Sequence, residues 1–289
     1  MTYLQLLIDG ILLGGLYAVM AMGFSVIWGV MNIINLAHGS MIIMGAYITY
    51  WLWKDTGIDP FLTLPISAFA MFCFGFFLQK WLLNRVVAAS VFLSLILTFG
   101  LDMVLRNLHI HFFEVDPRSV ETSYSSESLH IGSIHIAYTR LGVFGMALLL
   151  TALLLGVMNR TKVGNSIKAT SFDVEAASLV GMNTHRVYSI TFGIGAALAG
   201  MAGSLICVVQ AFQPEYSIPY TTTAFVVVIL GGLGSIVGAL VGGIVLGVAE
   251  DFTSYWKPGY KDLVSFALLL AVLLVRRRGL LGKQFYAEI

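Results

Sequence analysis

Ionisable side chains are rare within the apolar stretches of this sequence, and Asp102 is the clearest exception. A charged group inside a membrane-spanning segment is costly, so such a residue is a functional candidate by default. Arg106 follows one helical turn later, at a spacing that lets two side chains pair on one helix face. We favour a structural Asp102–Arg106 pair; the alternative is a proton relay through Asp102.

Polar residues also interrupt the apolar sequence between residues 14 and 47. Asn35, His38 and the small Gly39 lie there between two apolar runs. One interpretation places this break beside a translocation path, as in transporters with discontinuous helices. The other is an ordinary turn between helices, in which Asn and His satisfy backbone groups. These residues alone favour neither interpretation.

The polar segment 160–186 predicts a short helix over about 173–180. Ser171 or Asp173 would cap its N-terminus, because their side-chain oxygens accept hydrogen bonds from the first free backbone N–H groups. Gly181 would end the helix.

The same short helix would have acidic residues in its first turn and a small, apolar surface after them. Asp173 and Glu175 would complement the helix dipole there, and Ala176, Ala177, Leu179 and Val180 would form the surface. Such a helix suits docking into the groove of a partner protein. The alternative is a helix that folds back onto the membrane surface.

Signals for catalysis and for metal binding are weak. The sequence lacks the phosphate-binding loop of ATPases, so the chain is not expected to bind ATP. No nucleophile elbow or metalloprotease helix is visible. The histidines of the first polar stretch are spaced too loosely to indicate a zinc site, and we predict neither a metal nor a cofactor. These histidines are His109, His111, His130 and His135.

Composition narrows the class of protein. Of the 289 residues, 58% are hydrophobic and only 11% are charged, whereas about a quarter is usual for charged residues in soluble domains. A soluble enzyme and a nucleic-acid-binding protein are therefore excluded, and the solvent is a lipid bilayer. Long continuous apolar runs favour helices over barrel strands, which would alternate.

We predict one all-α polytopic transmembrane domain over residues 1–289 with about eight membrane segments. The apolar runs cover about 4–28, 36–53, 61–82, 91–108, 141–159, 187–211, 222–249 and 263–275. The polar stretch 109–140 is expected to be an extramembrane loop.

The distribution of Lys and Arg predicts the orientation. If segment 160–186 faces the cytoplasm, ten of the sixteen basic residues lie on that side, and eleven of the fifteen acidic residues lie on the other. The cytoplasmic set includes Lys283 and the cluster Arg276–Arg278, while Glu288 is one of three acids there. The N-terminus and the 109–140 loop are then outside, and the C-terminus is inside.

One apolar run conflicts with this orientation. If 222–249 crossed the membrane once, the cluster Arg276–Arg278 would lie outside. Residues 231–235 read GGLGS, and glycine is costly in a helix interior. We therefore expect a re-entrant hairpin of two short helices that enters and leaves on the outer side, within the protein. The alternative is one long tilted helix whose glycines allow close packing.

Three segments together resemble one family, the high-affinity branched-chain amino-acid ABC permeases, and more closely the shorter of its two permease types. NLAHGSMIIMGAY at 35–47 follows GGLYAVMAMGF at 14–24. DVEAASLVGMNTHRV at 173–187 precedes FGIGAALAGMAGSL at 192–205, and GGLGSIVGALVGG occupies 231–243. They occur in the family's order and cover most of the chain.

This resemblance implies an importer subunit of the bacterial inner membrane. A periplasmic binding protein would deliver an amino acid, two permease chains would form the path, and two cytoplasmic ATP-binding subunits would drive it by alternating access. The helix that meets the ATPase would contain Asp173, Glu175, Ala176, Ala177 and Gly181. Residues near the path would be Asn35, His38 and Gly39, with Gly231, Gly232 and Gly234 opposite.

Some choices stay open. Lys168 and Thr170 stand where the family is expected to have an Arg-Ala pair, which puts side-chain contacts with the ATPase in doubt. Branched-chain amino acids are the family default, but relatives carry other amino acids, urea, amides or aromatic acids. The resemblance favours a different second permease over two identical chains. The runner-up function is a secondary transporter that couples to ions through Asp102.

Overall fold

The computed structural model describes residues 2–86, 91–132, 134–276 and 279–282. Its elements in chain order are α1 (Thr2–Met31), α2 (His38–Thr56), α3 (Pro60–Trp81), α4 (Val91–Phe113), β1 (Ser128–Ile131), β2 (Ile134–Ala137), α5 (Tyr138–Arg160), α6 (Lys162–Phe172), α7 (Val174–Leu179), α8 (Thr184–Val209), α9 (Ser217–Gly231), α10 (Ile236–Trp256) and α11 (Lys261–Val275). Arg277, Arg278, Lys283 and Glu288 lie outside the described residues, so their predicted cytoplasmic position stays a prediction.

Seven of the described helices are long and apolar enough to cross a membrane: α1, α3, α4, α5, α8, α10 and, together with the turn Pro258–Tyr260 that precedes it, α11. The chain is therefore an all-α polytopic membrane protein, as its composition predicts. The predicted run 36–53 forms α2, which is not in this set. The predicted run 222–249 is divided between α9, with 15 residues, and α10, with 21. The expectation of about eight membrane segments stays a prediction.

Helices α1 and α8 form the centre of the bundle. In the most apolar stretch of each helix, 89% of the residues of α1 and 78% of those of α8 are buried, against 6% for α11. Helix α1 packs against α5, α8, α9 and α10, and α8 packs against α2 and α3. The peripheral helices leave large apolar side chains exposed, as expected of surfaces that face lipid.

Small residues set the distance between α1 and α10. A Cβ atom added to Gly243 would lie 2.6 Å from the carbonyl oxygen of Gly14, and one on Gly247 would lie 2.5 Å from that of Gly10. Real Cβ atoms do not approach backbone so closely, so only glycine fits at these positions. In a bilayer, where burial of apolar surface does not drive helices together, such close approach supplies much of the packing energy.

The predicted loop 109–140 is shorter in the structure, because α4 continues to Phe113 and α5 begins at Tyr138. Between them, β1 and β2 form an antiparallel hairpin in which His130 pairs with His135. Tyr124 donates a 2.8 Å hydrogen bond to Oδ2 of Asp59. Burial, together with this bond, raises the pKa of Tyr124 to about 12.

Candidate translocation and coupling sites

The connection between α1 and α2 runs back along α1 without helical structure. Residues 32–37 form it, and Asn32 has a φ of 52°. Helix α2 then begins beside the middle of α1, where Nε2 of His38 lies 2.8 Å from the carbonyl oxygen of Met20. A helix rises 1.5 Å per residue, so Met20 lies about 16 Å before the end of α1 at Met31. Helix α2 therefore begins inside the protein.

Two threonines on other helices satisfy the polar backbone of this connection. Thr98 of α4 accepts a 3.2 Å hydrogen bond from the N–H of Leu36 and lies 2.9 Å from the carbonyl oxygen of Ile34. Thr221 of α9 accepts a 2.8 Å bond from the N–H of Gly39, and its hydroxyl lies 3.2 Å from the carbonyl oxygen of Leu36. Non-helical backbone at membrane depth is tolerated only with such partners.

The residues predicted near the path at this break are fully enclosed. Asn35 and His38 are both 0% exposed. Oδ1 of Asn35 accepts a 3.2 Å hydrogen bond from the N–H of Ala37, and Gly39 packs directly against the backbone of Ser217. Asn35 and His38 thus bond to backbone groups, as the turn interpretation predicts, and their place beside a path stays a proposal.

A second break separates α9 from α10. Gly232 and Gly234 have φ values of 105° and 76°, in the left-handed region that favours glycine. Ser235 caps α10, because its Oγ accepts a 3.0 Å bond from the N–H of Gly238. Gly231 and Gly238 meet backbone to backbone, so α9 and α10 are antiparallel neighbours. The alternative of one long tilted helix is therefore wrong.

The segment after α11 returns to this break. The N–H groups of Leu280 and Leu281 donate bonds of 2.8 and 2.9 Å to the carbonyl oxygens of Leu230 and Gly231. The last carbonyl groups of a helix have no hydrogen-bond partner within that helix. Here the segment after α11 supplies the donors for them. The end of α9 is thereby fixed to the C-terminal segment.

The second break lies beside the predicted coupling loop. Gly234 lines a cavity of about 300 Å³ together with Gly29 of α1 and Lys168 of α6. Thr221, which holds the first break, precedes Gly231 by ten residues on α9, or about 15 Å along the helix. The residues of the first break and the glycines of the second break were predicted to lie opposite each other. Helix α9 connects the two breaks, but their residues do not form one cluster.

The segment 160–186 contains two helices rather than one. Helix α7 matches the predicted helix, with Asp173 as its cap: Oδ1 accepts a 2.9 Å bond from the N–H of Ala176. Gly181, with a φ of 85°, follows the helix end as predicted. The sequence reasoning missed α6, although Thr161 gives a signal, since its hydroxyl caps α6 by accepting a bond from the N–H of Gly164.

Apolar side chains cover the outside of α7 and its flanks. Phe172 is 80% exposed, Leu179 86% and Val180 73%. These three and Val174 are called the coupling surface below. Glu175 and Ala176 are exposed beside it, whereas Ala177 is only 4% exposed and packs inward. Leu179 and Val180 thus lie on the exposed apolar surface that the sequence predicts, and Phe172 and Val174 extend it.

Asp102 does not pair with Arg106, and this expectation was wrong. The ion pairs among the described residues join Asp9 to Arg140 and Glu250 to Lys261. Asp102 is 3% exposed and instead accepts a 2.5 Å hydrogen bond from Oγ of Ser40. Ser40 lies in the first turn of α2, where the helix dipole stabilises a carboxylate.

A buried charged cluster was missed by the sequence reasoning. Glu250 of α10 is 3% exposed and pairs with Lys261 of α11 at 2.9 Å. Tyr17 and Ser265 donate hydrogen bonds of 2.6 and 2.7 Å to its carboxylate. Glu250 follows directly after the predicted apolar run 222–249 and is one of the eleven acidic residues predicted on the outer side. No sequence spacing links it to Tyr17.

Histidines of the outer region do not build a metal site. His109 is buried in α4, and His130 lies next to His135 on the β hairpin. Throughout the part of the chain that the structure describes, no three His, Cys, Asp or Glu side chains are placed to hold a metal ion.

Comparison with known proteins gives the family. The family model described as branched-chain amino acid transport system / permease component matches residues 6–273. The chain belongs to this permease family. LivH of Escherichia coli K12, a high-affinity branched-chain amino acid transport system permease protein, is 33% identical, and the alignment covers 97% of this chain and 96% of LivH.

Other permeases of the family show the same extent of similarity. BraD of Pseudomonas aeruginosa is 30% identical over 97% of this chain and 96% of its own. LivM of Escherichia coli K12, named as another permease protein of the branched-chain system, is 26% identical over 92% of this chain and 68% of its own. No solved structure is a significant match.

Proposed function

We propose that this chain is a membrane-spanning permease subunit of an ABC importer in the bacterial inner membrane, and that it carries a branched-chain or related amino acid. The observation that carries this proposal is the similarity over nearly the whole chain to LivH and BraD, both named as branched-chain amino acid permeases. Seven apolar helices provide the membrane domain.

The proposed topology starts with the N-terminus in the periplasm. If helices α1 to α5 alternate in direction, and α8 to α11 do the same, segments 82–86 and 160–186 and the end of α11 all lie in the cytoplasm. This is the side with most Lys and Arg, as the positive-inside rule requires. The α9–α10 hairpin enters and leaves on the outer side, and α10, at about 31 Å, is long enough to span the hydrocarbon core.

The coupling surface is the proposed docking site of a cytoplasmic ATPase. Exposed apolar patches outside membrane spans mark protein interaction sites, and a short helix with an apolar face suits a groove on a partner. Asp173 and Gly181 fix the ends of α7, and Glu175, Ala176 and Ala177 belong to it. Movement of the segment 160–186 would be transmitted through α6 to the α9–α10 turn, because α6 and this turn line the same cavity.

The two helix breaks are the proposed moving parts of the translocation path. Discontinuous helices are the usual sites of substrate passage in transporters. Asn35, His38 and Gly39 hold the first break, and the second is formed by Gly231, Gly232 and Gly234. For movement at these breaks to drive transport, ATP binding must favour one of two arrangements of the path over the other.

The proposed assembly contains a second, different permease chain, two ATP-binding subunits and a periplasmic substrate-binding protein. LivM and LivH are named as permeases of one type of system, and this chain is similar to both. The test is purification of the tagged chain from its native membrane in mild detergent, with identification of the proteins that accompany it. Recovery of an ATPase and a second polytopic permease supports the proposal.

A matched pair of variants tests the docking site. Leu179→Asp places a charge on the coupling surface and should remove the ATPase from the purified complex. Asn165→Asp places the same charge on an exposed position of α6 and should leave the complex intact. Uptake by the chain alone in ATP-free vesicles would contradict the importer.

A further inference from the structure

We propose that a cavity between α9, α10 and α11 binds the transported amino acid on its way through the permease, with Asp262 recognising its ammonium group. This inference rests on the proposed function. The cavity has a volume of about 260 Å³, which is below the ~300–1,000 Å³ typical of pockets for drug-sized ligands and suits a smaller molecule.

The polar residues of this cavity come from three helices. Thr222 and Thr223 come from α9, Glu250 from α10, and Asp262 and Ser265 from α11. These residues lie near the end of the bundle where α10 ends and α11 begins. Hydroxyl groups and carboxylates facing hydrocarbon are costly, so this surface faces water or the partner permease rather than lipid.

An apolar floor lies about one helical turn deeper. It is formed by Val226, Leu246 and Phe266, while two further apolar residues, Ile218 and Pro219, line the cavity at the outer end of α9. Each of these residues is four positions, or about one helical turn, deeper than a polar residue on the same helix. Val226 follows Thr222 on α9 and Phe266 follows Asp262 on α11, because both helices run inward. Leu246 precedes Glu250 on α10, because that helix runs outward. A charged rim above an apolar floor fits an amino acid with an aliphatic side chain.

Charge at the rim selects an ammonium group. The carboxylate of Glu250 is already neutralised, since Lys261 lies 2.9 Å away and Ser265 donates a further bond. Neither ion pair of the described residues includes Asp262. Asp262 therefore leaves one negative charge at the rim. The Thr222 hydroxyl already donates a 3.0 Å hydrogen bond to the carbonyl oxygen of Ile218, so the Thr223 hydroxyl is the group that can donate to the substrate carboxylate.

The test measures ATP-driven uptake of labelled leucine by the complete transporter in vesicles of phosphatidylglycerol. Asp262→Asn should lower uptake about tenfold, which corresponds to the loss of about 1.4 kcal/mol from one charge-assisted contact. Asp262→Glu keeps the charge and should retain most of the uptake. Thr223→Phe fills the cavity and should also lower uptake, whereas Leu270→Phe, on the exposed face of α11 away from the cavity, should not.

Each variant is first shown to assemble with the partner subunits. Uptake at the wild-type level in both Asp262→Asn and Thr223→Phe overturns the inference. Equal losses in Asp262→Asn and Asp262→Glu also overturn it, because they indicate a structural position instead of a charge. An effect that needs phosphatidylethanolamine in the vesicles assigns the cavity to a lipid ammonium group. If the wild-type transporter shows no ATP-driven uptake, the proposed function itself has failed.

Discussion

Oγ of Ser40 donates a 2.5 Å hydrogen bond to Oδ1 of Asp102, and this bond joins the first turn of α2 to α4. Both residues are almost completely buried. The acid therefore fixes the start of a helix that begins inside the protein. The structural role predicted for Asp102 is thus retained, but its partner is Ser40 and not Arg106.

Asp102→Asn should keep ATP-driven uptake within about twofold, because an amide oxygen can still accept the Ser40 bond. Asp102→Leu should destabilise the protein by ~1–3 kcal/mol, since it leaves a buried hydroxyl without a partner. Uptake and thermal unfolding in detergent measure the two effects. Complete loss of uptake in Asp102→Asn, with normal folding, would favour the ion-coupled transporter.

Thr221→Val should destabilise the connection between α1 and α2. Valine has the shape of threonine but cannot accept the hydrogen bond from the N–H of Gly39, and an unpaired buried N–H costs ~1–3 kcal/mol. The melting temperature and uptake should both fall. Thr253→Val is the matched control, because the Thr253 hydroxyl bonds only to the carbonyl group of Ala249 in its own helix. Equal shifts in both variants would contradict the bracing role.

Asp173→Ala should weaken the association with the ATPase by loosening α7. Loss of an N-cap side chain costs ~0.5–2 kcal/mol, which is large for a helix of six residues. Asp173→Asn retains a capping oxygen and should bind nearly as well as the wild type. The amount of ATPase that copurifies is the measurement. If Asp173→Asn releases the ATPase as fully as Asp173→Ala does, the charge matters rather than the cap.

The two partners of the buried ion pair should respond unequally to removal. Lys261→Met leaves the carboxylate of Glu250, whose side chain is 4% exposed, without a cation, whereas Glu250→Gln leaves the Lys261 side chain, which is 42% exposed and can reach water. The first variant should lower the melting temperature more, with a cost below the ~3–5 kcal/mol typical of fully buried pairs. Each single variant removes the same ion pair. The double variant should therefore be destabilised by less than the sum of the two single destabilisations. A larger shift for Glu250→Gln would contradict this account.

The break at GGLGS could be predicted because its cause is local: glycines 232 and 234 adopt a conformation that other residues rarely accept. The α7 cap could be predicted for the same reason, since Asp173 bonds to an N–H group only three residues away. Asp102 shows the limit of such reasoning. Its spacing to Arg106 permits a local pair, but the side chain faces α2, and only the packing of α4 decides this.

By itself, the sequence determined the bilayer as solvent, the approximate helix boundaries and the family, because hydrophobicity, capping and motif order are properties of neighbouring residues. Only the tertiary structure decided which polar groups meet. Thr221 reaches Gly39 across 182 residues, and Glu250 reaches Tyr17 across 233. In a medium without water, backbone N–H and C=O groups must be satisfied within the protein, and which side chain satisfies them depends on how distant helices pack.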